Sequence, residues 1–303
     1  MNHAAAAAWV ESIHDALTAL FEVLDGGGRF AETAWQRPGG GGGLARLLVA
    51  GRTFEKAGIN RSVVHGPMVD ASGSFFAAGV SLVAHPWNPH VPTVHLNVRY
   101  LELTGRAGEH DDRWFGGGTD LTPTWPHPSD AAFFHTVLQT ACDRHAPDFY
   151  SRFKRWCDEY FVNHHRAGEA RGVGGIFFDH LRASDEGTSE AALLAFVDDV
   201  GRILAGAYAP IVNRRRSTPW TEDDRALQLF RRGRYAEFNL VHDRGTLFGL
   251  RTGARIESVL MSLPPLASWS GPSDFPAGSP GARLAEMLQP QAWAGSPSSA
   301  LDD

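Results

Sequence analysis

The chain has 303 residues, 43% of them hydrophobic and 11% aromatic, which allows a sizeable core in one large domain or two small ones. Charged residues make up 20% of the chain and the net charge is -6, which argues against wholesale disorder and against a general nucleic-acid binder. Its only cysteines, Cys142 and Cys157, form no CxxC pair, so one chain cannot build an iron–sulfur cluster or a four-cysteine zinc site.

The N-terminal segment is predicted to be an amphipathic helix rather than a signal peptide. Trp9, Ile13 and Leu17 follow a helical spacing, and acidic residues interrupt the alanine-rich run, which no Lys or Arg precedes. No stretch approaches the roughly 18 consecutive apolar residues of a membrane span. We therefore expect a cytoplasmic protein without a membrane span.

Strands are predicted at 29–37 and 44–49, at two positions within 74–103, and at 173–179. Glycines 39–43 are expected to form a flexible hairpin loop, because a β-like segment follows them instead of the helix that a phosphate-binding loop needs. A further strand pair is predicted at 235–241 and 246–250, joined by a turn at 242–245.

Helices are predicted at 129–145, 147–167, 189–208 and 221–231, with Ser129 as the first N-cap and Pro147 and Gly168 bounding the second helix. The strands do not alternate regularly with the helices, so an α+β fold with an antiparallel sheet is favoured over a doubly wound one. We expect a single domain over residues 1–270. Residues 271–303 should form a partly loose tail with one short helix at 282–288.

The most informative stretch is GVSLVAHPWNPHVPTVHLNVRYLEL, residues 79–103. Because strand side chains alternate between faces, Ser81 and His85 share one face of the first strand, and His95, Asn97 and Arg99 share one face of the second. A hairpin that pairs Ser81 near Asn97 would place both sets on one side of the sheet. An ordinary amphipathic hairpin with its polar face in water remains the alternative, although imidazoles, an amide and a planar cation are better suited to carboxylate binding.

This stretch resembles the corresponding segment of the oxygen-dependent coproporphyrinogen III oxidases. Further segments resemble the same family in the same order, with the closest resemblance over 54–269: WFGGGTDLTP at 114–123, FKRWCDEYF at 153–161, HRAGEARGVGGIFFD at 165–179, RRGRYAEFNLVHDRGTLFGL at 231–250 and RIESVLMSLPP at 255–265. The resemblance implies a large, flat antiparallel sheet covered by helices on both faces, and a homodimer.

The implied activity is the oxidative decarboxylation of two propionates of coproporphyrinogen III to vinyl groups. The implied product is protoporphyrinogen IX, and O2 is the oxidant, with CO2 and H2O2 released. No organic cofactor is implied, and whether a divalent metal cation takes part is left open. Two other classes stay open on the residues alone: a histidine-ligated hydrolase or oxygenase, and a non-catalytic porphyrin-binding protein.

The resemblance assigns roles to residues of this chain. It implies catalytic roles for His95 as proton donor, Asp243 as holder of pyrrole N–H groups and Arg244 as partner of a propionate or developing anion. A turn aspartate usually caps its own backbone, which is the alternative for Asp243. The implied substrate-binding residues are Ser81, Asn97, Val98, Arg99, Gly253, Ala254 and Arg255, where Ala254 departs from the Gly-Gly-Arg that the family often carries.

The implied ligands of a divalent metal are His85, His95, His135 and His165. Among 14 histidines, four suitable positions are weak support, and core or surface histidines are the alternative. The implied dimerisation segment, 235–269, is apolar for a surface, so part of it must be core. Its candidate interface residues are Tyr235, Phe238, Leu240, Phe248, Leu250 and Leu260.

Overall fold

The computed structural model describes residues 1–68, 73–105, 112–251, 255–271 and 275–295. Its strands are β1 Ala31–Gln36, β2 Gly41–Val49, β3 Phe54–Pro67, β4 Ser74–Pro86, β5 Thr93–Thr104, β6 Asp112–Thr122, β7 Val162–Asn163, β8 Glu169–Ala170 and β9 Gly174–Leu181. Its α-helices are α1 His3–Asp25, α2 Pro128–Asp143, α3 Phe149–Tyr160, α4 Glu190–Arg202, α5 Leu204–Ala207, α6 Ala209–Arg215, α7 Glu222–Val241, α8 Arg244–Arg251, α9 Ile256–Val259 and α10 Pro280–Met287.

Seven strands form one sheet in the order β1-β2-β3-β4-β5-β6-β9, and every neighbouring pair is antiparallel. The first six strands follow one another along the chain, and β9 joins the far edge after α2 and α3 have intervened. Strands β7 and β8 form a separate two-stranded ribbon. The predicted α+β class with a mainly antiparallel sheet is confirmed.

The apolar face of the sheet carries the alternate residues that are fully buried, including Val80, Leu82, Leu96, Val98 and Tyr100. Helices α1 and α4 cover this face. Phe21 of α1 packs on Phe54 with ring centroids 5.2 Å apart, and Phe196 of α4 packs on Phe178 at 5.1 Å. This layer belongs to the main cluster of buried hydrophobic residues, and apolar burial is the main favourable term in folding.

The polar face carries Ser81, His85, His95, Asn97 and Arg99, as the period-two alternation predicts. Part of it is covered from the other side. Tyr235 of α7 packs edge-on against His85 with ring centroids 5.3 Å apart. Gly58 of β3 admits the Met261 side chain, because a Cβ at this glycine would lie 2.4 Å from Met261 Cγ. Helical segments therefore lie on both faces of the sheet.

The predicted strand pair at 235–241 and 246–250 is wrong, because these residues belong to helices α7 and α8. Helix α7 begins at a capping box between Thr221 and Asp224 and continues through Gly233, where the helix prediction ended. Gly233 does not break the helix. It allows close approach of the chain at Ser268, since a Cβ there would lie 2.4 Å from the Ser268 carbonyl oxygen.

Other predicted boundaries also shift. The helix predicted at 147–167 ends at Tyr160, after which Val162–Asn163 enters the small ribbon and His164–Arg166 forms a 3-10 turn. Ser129 is not an N-cap, because Pro128 occupies the first turn of α2 and His127 precedes it. Three of the five glycines at 39–43 lie within β2 rather than in a loop.

The predicted tail is folded where the structure describes it. Helix α10 confirms the short helix expected at 282–288, and Leu284, Met287 and Trp293 are buried in the main core. Residues 296–303 lie outside the described residues. No helix in the described ranges is long and apolar enough to cross a membrane.

Candidate active site

The polar face forms a shallow floor between strands β3 and β5. Ser81 lies directly opposite Asn97, as predicted, and Asn60 of β3 lies on the other side of Ser81. A cleft of about 140 Å³ opens above these residues. Its lining is Asn60, Ser62, Ala77, Ala78, Gly79, Val80, Ser81, Asn97, Arg99 and Leu101. The structure therefore brings three of the predicted substrate-binding side chains, Ser81, Asn97 and Arg99, into one cleft.

Arg99 lies flat across this floor. Its Nη1 donates to Asn97 Oδ1 at 2.9 Å, and its Nη2 lies 2.9 Å from Asp179 Oδ2 on β9. Its neighbours on the adjacent strands are glycines, Gly79 on β4 and Gly116 on β6. A Cβ at Gly116 would lie 2.7 Å from Arg99 Nε, so the missing side chain makes room for the guanidinium.

Val98, which the family resemblance also assigns to substrate binding, is buried on the apolar face. Its side chain points away from the cleft because it alternates with Asn97 and Arg99. The assignment is therefore wrong for the Val98 side chain. Asn60 and Asp179 were not predicted. The first could have been found by extending the period-two argument from Ser81 to its neighbouring strand.

His95, on the polar face of β5, lies beside the buried ion pair of Asp120 and Arg171. Its Nδ1 lies 2.7 Å from Asp120 Oδ1, and the other oxygen of Asp120 accepts from Arg171 Nη2 at 2.5 Å. Burial raises the pKa of Asp120, but Arg171 and His95 outweigh burial and lower that pKa below its usual range. An ionised Asp120 accepts a hydrogen bond from His95 Nδ1, which leaves Nε2 as the ring nitrogen that does not contact Asp120.

Aromatic rings enclose the other side of Arg171. Its guanidinium carbon lies 3.9 Å from the Phe161 ring centroid and 4.9 Å from the centroids of Tyr235 and Phe238. Tyr235 and Phe238 are themselves 2% and 0% exposed. Their prediction as dimer-interface residues is therefore wrong, because both pack inside this chain around the partner of Asp120.

The four predicted metal ligands are not brought together. His85 is buried, with Nε2 2.9 Å from the Ser262 carbonyl oxygen and Nδ1 3.3 Å from Thr93 Oγ1. His135 lies 3.0 Å from both Tyr150 Oη and the Val173 carbonyl oxygen. Within the described ranges no group of three or more His, Cys, Asp or Glu could hold a metal ion, so these residues do not fit the implied metal.

Burial keeps His85 and His135 uncharged. It lowers the pKa of His135 to about 3 and takes the pKa of His85 well below its usual value, with Arg232 adding to the effect at His85. His165, the remaining predicted ligand, lies on the surface. Its Nδ1 is 2.7 Å from His242 Nε2, and its Nε2 is 3.0 Å from Glu237 Oε2.

Asp243 lies between α7 and α8, on the polar side of the sheet. Its Oδ2 accepts from the Thr246 backbone N–H at 2.7 Å, which caps α8, and its Oδ1 accepts from Tyr160 Oη at 3.1 Å. Tyr160 stacks on Phe177, whose strand position places it on the same face as Asn97. Asp243 thus caps its own backbone, as the alternative predicts, and Tyr160 connects it to the polar face of the sheet.

Arg244 follows at the first turn of α8 and is exposed. Its guanidinium lies over the Tyr160 ring, 5.4 Å from the centroid, so it belongs to the same corner as Asp243. Burial and the neighbouring Asp243 carboxylate raise the pKa of Tyr160 to about 12, which keeps its hydroxyl protonated as a donor to Asp243.

Arg255 lies apart from Arg99. It lines a second cleft of about 340 Å³ over strands β1 to β3, with Lys56 on its floor, and its Nε lies 3.0 Å from Glu257 Oε2. Gly253 and Ala254, predicted with Arg255 as substrate-binding, lie outside the described residues. The two clefts share the polar face, on either side of the Met261 contact with Gly58.

A planar cation and neutral hydrogen-bonding groups in one cleft, beside the Asp120–His95 pair, are the features of an enzyme site for a molecule that carries carboxylates. Comparison with known proteins makes the class specific. Residues 5–293 match the family model described as Coproporphyrinogen III oxidase.

A curated relative from Glycine max is named oxygen-dependent coproporphyrinogen-III oxidase, chloroplastic. The two sequences are 45% identical over an alignment 303 residues long, which covers 94% of this chain and 77% of the relative. The chain belongs to the coproporphyrinogen III oxidase family, and the predicted family and oxidoreductase class are confirmed.

Proposed function

We propose that this chain converts two propionates of coproporphyrinogen III to vinyl groups, with O2 as the oxidant and no organic cofactor. The observation that carries the proposal is a family match over residues 5–293 combined with a guanidinium on a flat, glycine-lined floor. In each step a propionate and O2 give a vinyl group, CO2 and H2O2. The propionate loses two electrons and one hydrogen of its β-carbon, and O2 takes up these electrons, that hydrogen and one proton from solvent to give H2O2, so atoms, charge and electrons balance.

The floor holds and orients the substrate. Arg99 forms two parallel hydrogen bonds to one propionate, while Asn97 and Ser81 contribute neutral hydrogen bonds. The glycines beside Arg99 leave room for its guanidinium to lie across the floor, where it meets the propionate. Holding the reacting propionate in one geometry contributes to the rate by removing the entropy cost of orientation.

His95 is the proton-transfer group of this proposal. Asp120 fixes its Nδ1 proton, so its Nε2 accepts or delivers a proton at the substrate. Asp243 would accept pyrrole N–H groups from above, since each of its oxygens has a second lone pair beyond the bonds to Thr246 and Tyr160. Arg244, beside it, would balance negative charge that develops on the substrate.

The test compares purified protein and coproporphyrinogen III with O2 and under strict anaerobiosis, without added nicotinamide, flavin or S-adenosylmethionine. We expect vinyl-bearing product and H2O2 only when O2 is present. Anaerobic turnover would refute O2 as the oxidant. Binding of the porphyrinogen without peroxide release would instead identify a non-catalytic porphyrin-binding protein.

We also propose that a second copy of the chain covers the exposed apolar side chains between the end of α7 and residue 269. Leu240, Phe248 and Leu250 are 42%, 68% and 42% exposed, and Leu266 and Trp269 extend the same segment at 56% and 57%. Side chains of this size rarely stay in water together on a monomer, and a two-fold interface would bury them from both copies.

Light scattering tests the dimer. We expect the wild-type protein to be a dimer at micromolar concentration and Phe248→Arg to be a monomer. Val23→Arg is the matched control, because Val23 is 76% exposed on α1 and lies outside this segment. A fully active wild-type monomer would contradict the proposal. Cytoplasmic location and the lack of a nucleic-acid partner stay predictions.

A further inference from the structure

Arg99 already has a carboxylate partner in this chain. Asp179, near the end of β9, lies 2.9 Å from its Nη2, and the two side chains are 20% and 30% exposed. Arg99 has five N–H donors, and its bonds to Asn97 and Asp179 use two of them. Three donors are left, which is enough for two parallel hydrogen bonds to a substrate carboxylate.

The backbone around Asp179 is arranged to hold its carboxylate in this position. His180 has a φ of 49°, a left-handed conformation that is unusual for a residue with a side chain. In this conformation the His180 N–H donates to Asp179 Oδ1 at 3.0 Å, while Oδ2 faces Arg99. Stacking of His180 on Trp114, with ring centroids 5.0 Å apart, supports the strained residue.

The neighbouring strand β6 leaves room for the ion pair of Arg99 and Asp179. A register shift between Phe115 and Gly117 interrupts the pairing of β6 with β9. At Gly116, in the middle of this shift, a Cβ would lie 2.7 Å from both Arg99 Nε and Asp179 Oδ1. A side chain at this position would displace both charged groups. The bulge and the glycine therefore both make room for the same ion pair.

We propose that Asp179 is a positioning residue and a permanent counter-ion of Arg99 during turnover. This role rests on the proposed function, because that reaction removes the substrate carboxylate with which Arg99 pairs. Each step destroys a substrate carboxylate by releasing it as CO2. A half-buried guanidinium whose only counter-ion was that carboxylate would then be left unpaired, which costs free energy.

Asp179 prevents this loss of charge balance. It also weakens the attraction of Arg99 for carboxylates, because a nearby negative charge offsets part of the positive potential at the guanidinium. Substrate and product therefore bind less tightly than a lone arginine would hold them. The cleft can in this way bind a polycarboxylate, lose one carboxylate from it and still release or reposition the product.

The test is Asp179→Asn, which keeps the shape and the acceptor oxygen but removes the charge. Binding is measured with coproporphyrin III, the stable oxidised form of the substrate, by quenching of tryptophan fluorescence, and turnover is measured separately. We expect the Kd of coproporphyrin III to fall about three- to tenfold and kcat to fall as well. Asp185→Asn is the matched control, since Asp185 is 59% exposed and outside the cleft.

Three results would overturn the inference: unchanged or weaker binding by Asp179→Asn, equal tightening by the Asp185 control, or equal tightening in an Arg99→Ala background. Asp179→Glu should restore the wild-type Kd to within about twofold, since it returns the charge. If Asp179→Asn does not fold, Asp179→Ser tests the same expected direction. Wild-type protein that binds coproporphyrin III but releases no peroxide would refute the proposed function while the binding test of Asp179 still stands.

Discussion

The floor of the site and the helices α7 and α8 that lie over it, here called the cover, hold their charged groups in different ways. On the floor, Asn97 and Arg99 are fixed by strand register, and Arg99 has partners on two sides. In the cover, Asp243 is held by the end of a helix and by one tyrosine, and Arg244 is exposed. The floor is therefore preorganised for binding, while the cover holds a carboxylate at a helix terminus through its bonds to Thr246 and Tyr160.

The free energy of unfolding should depend on pH, because two histidines are buried in their neutral forms. His85 bonds to the Ser262 carbonyl beneath the cover, and burial takes its pKa well below the usual value; burial likewise lowers the pKa of His135 to about 3. Between about pH 6.5 and these lowered values the unfolded chain binds more protons, so stability is present at neutral pH and is lost as the pH falls.

We expect the free energy of unfolding to drop by up to about 1.4 kcal/mol per pH unit for each such histidine below pH 6.5. Denaturant titrations at pH 7.5 and pH 5 measure this effect. His135→Gln should reduce the pH slope, whereas the same change at His3, which is 56% exposed, serves as the control. An unchanged slope in His135→Gln would mean that this histidine is not the acid-sensitive group.

Asp243→Asn separates the two roles of Asp243, which are capping helix α8 and accepting hydrogen bonds from the pyrrole N–H groups of the substrate. Asparagine caps helices about as well as aspartate, so α8 should be preserved, while the negative charge towards the pyrrole N–H groups is lost. We expect the activation free energy to rise by about 1.5–3 kcal/mol, which lowers turnover roughly ten- to a hundredfold. The measurement is steady-state kinetics on protein whose helical circular dichroism matches the wild type. Near-normal turnover would leave capping as the only role of Asp243.

Gly116→Ala tests the floor with a smaller change. Its Cβ would lie 2.7 Å from Arg99 Nε, and because this is a flexible side chain the guanidinium should move while the sheet stays folded. We expect KM to rise about three- to tenfold, on the order of 1 kcal/mol, with little change in kcat. Gly206→Ala is the control, since its nearest contact is an ordinary 3.9 Å to Val137. An unaltered KM would show that the floor tolerates a displaced Arg99.

The floor could be predicted from the sequence because strand alternation is strictly local. Ser81 and Asn97 are separated by a short hairpin, so their pairing follows from the pattern alone. The cover could not be predicted in this way. The apolar alternation in 235–241 resembles a strand, and only tertiary contacts show that Gly233 lies within a helix packed on Ser268.

The metal set failed for a related reason. A motif assigns residue types to positions, but it does not say which ring nitrogens are already bonded. Both nitrogens of His85 and His135 have partners in the fold, and burial makes their neutral forms the stable ones. Asp179 was missed because its role depends on the left-handed residue beside it, and one sequence gives no sign of a φ of 49°.

The order of the strands has a consequence for how the site forms during folding. Strands β1 to β6 pair with their neighbours in sequence, so this part of the sheet can grow by successive hairpins with little loop-closure cost. Strand β9 arrives only after α2 and α3, through the pairing of Phe115 with Leu181, and it brings Asp179 with it. Arg99 therefore gains its counter-ion through the pairing of greatest sequence separation among the described strands of the sheet, and the ion pair can form only once this last pairing is made.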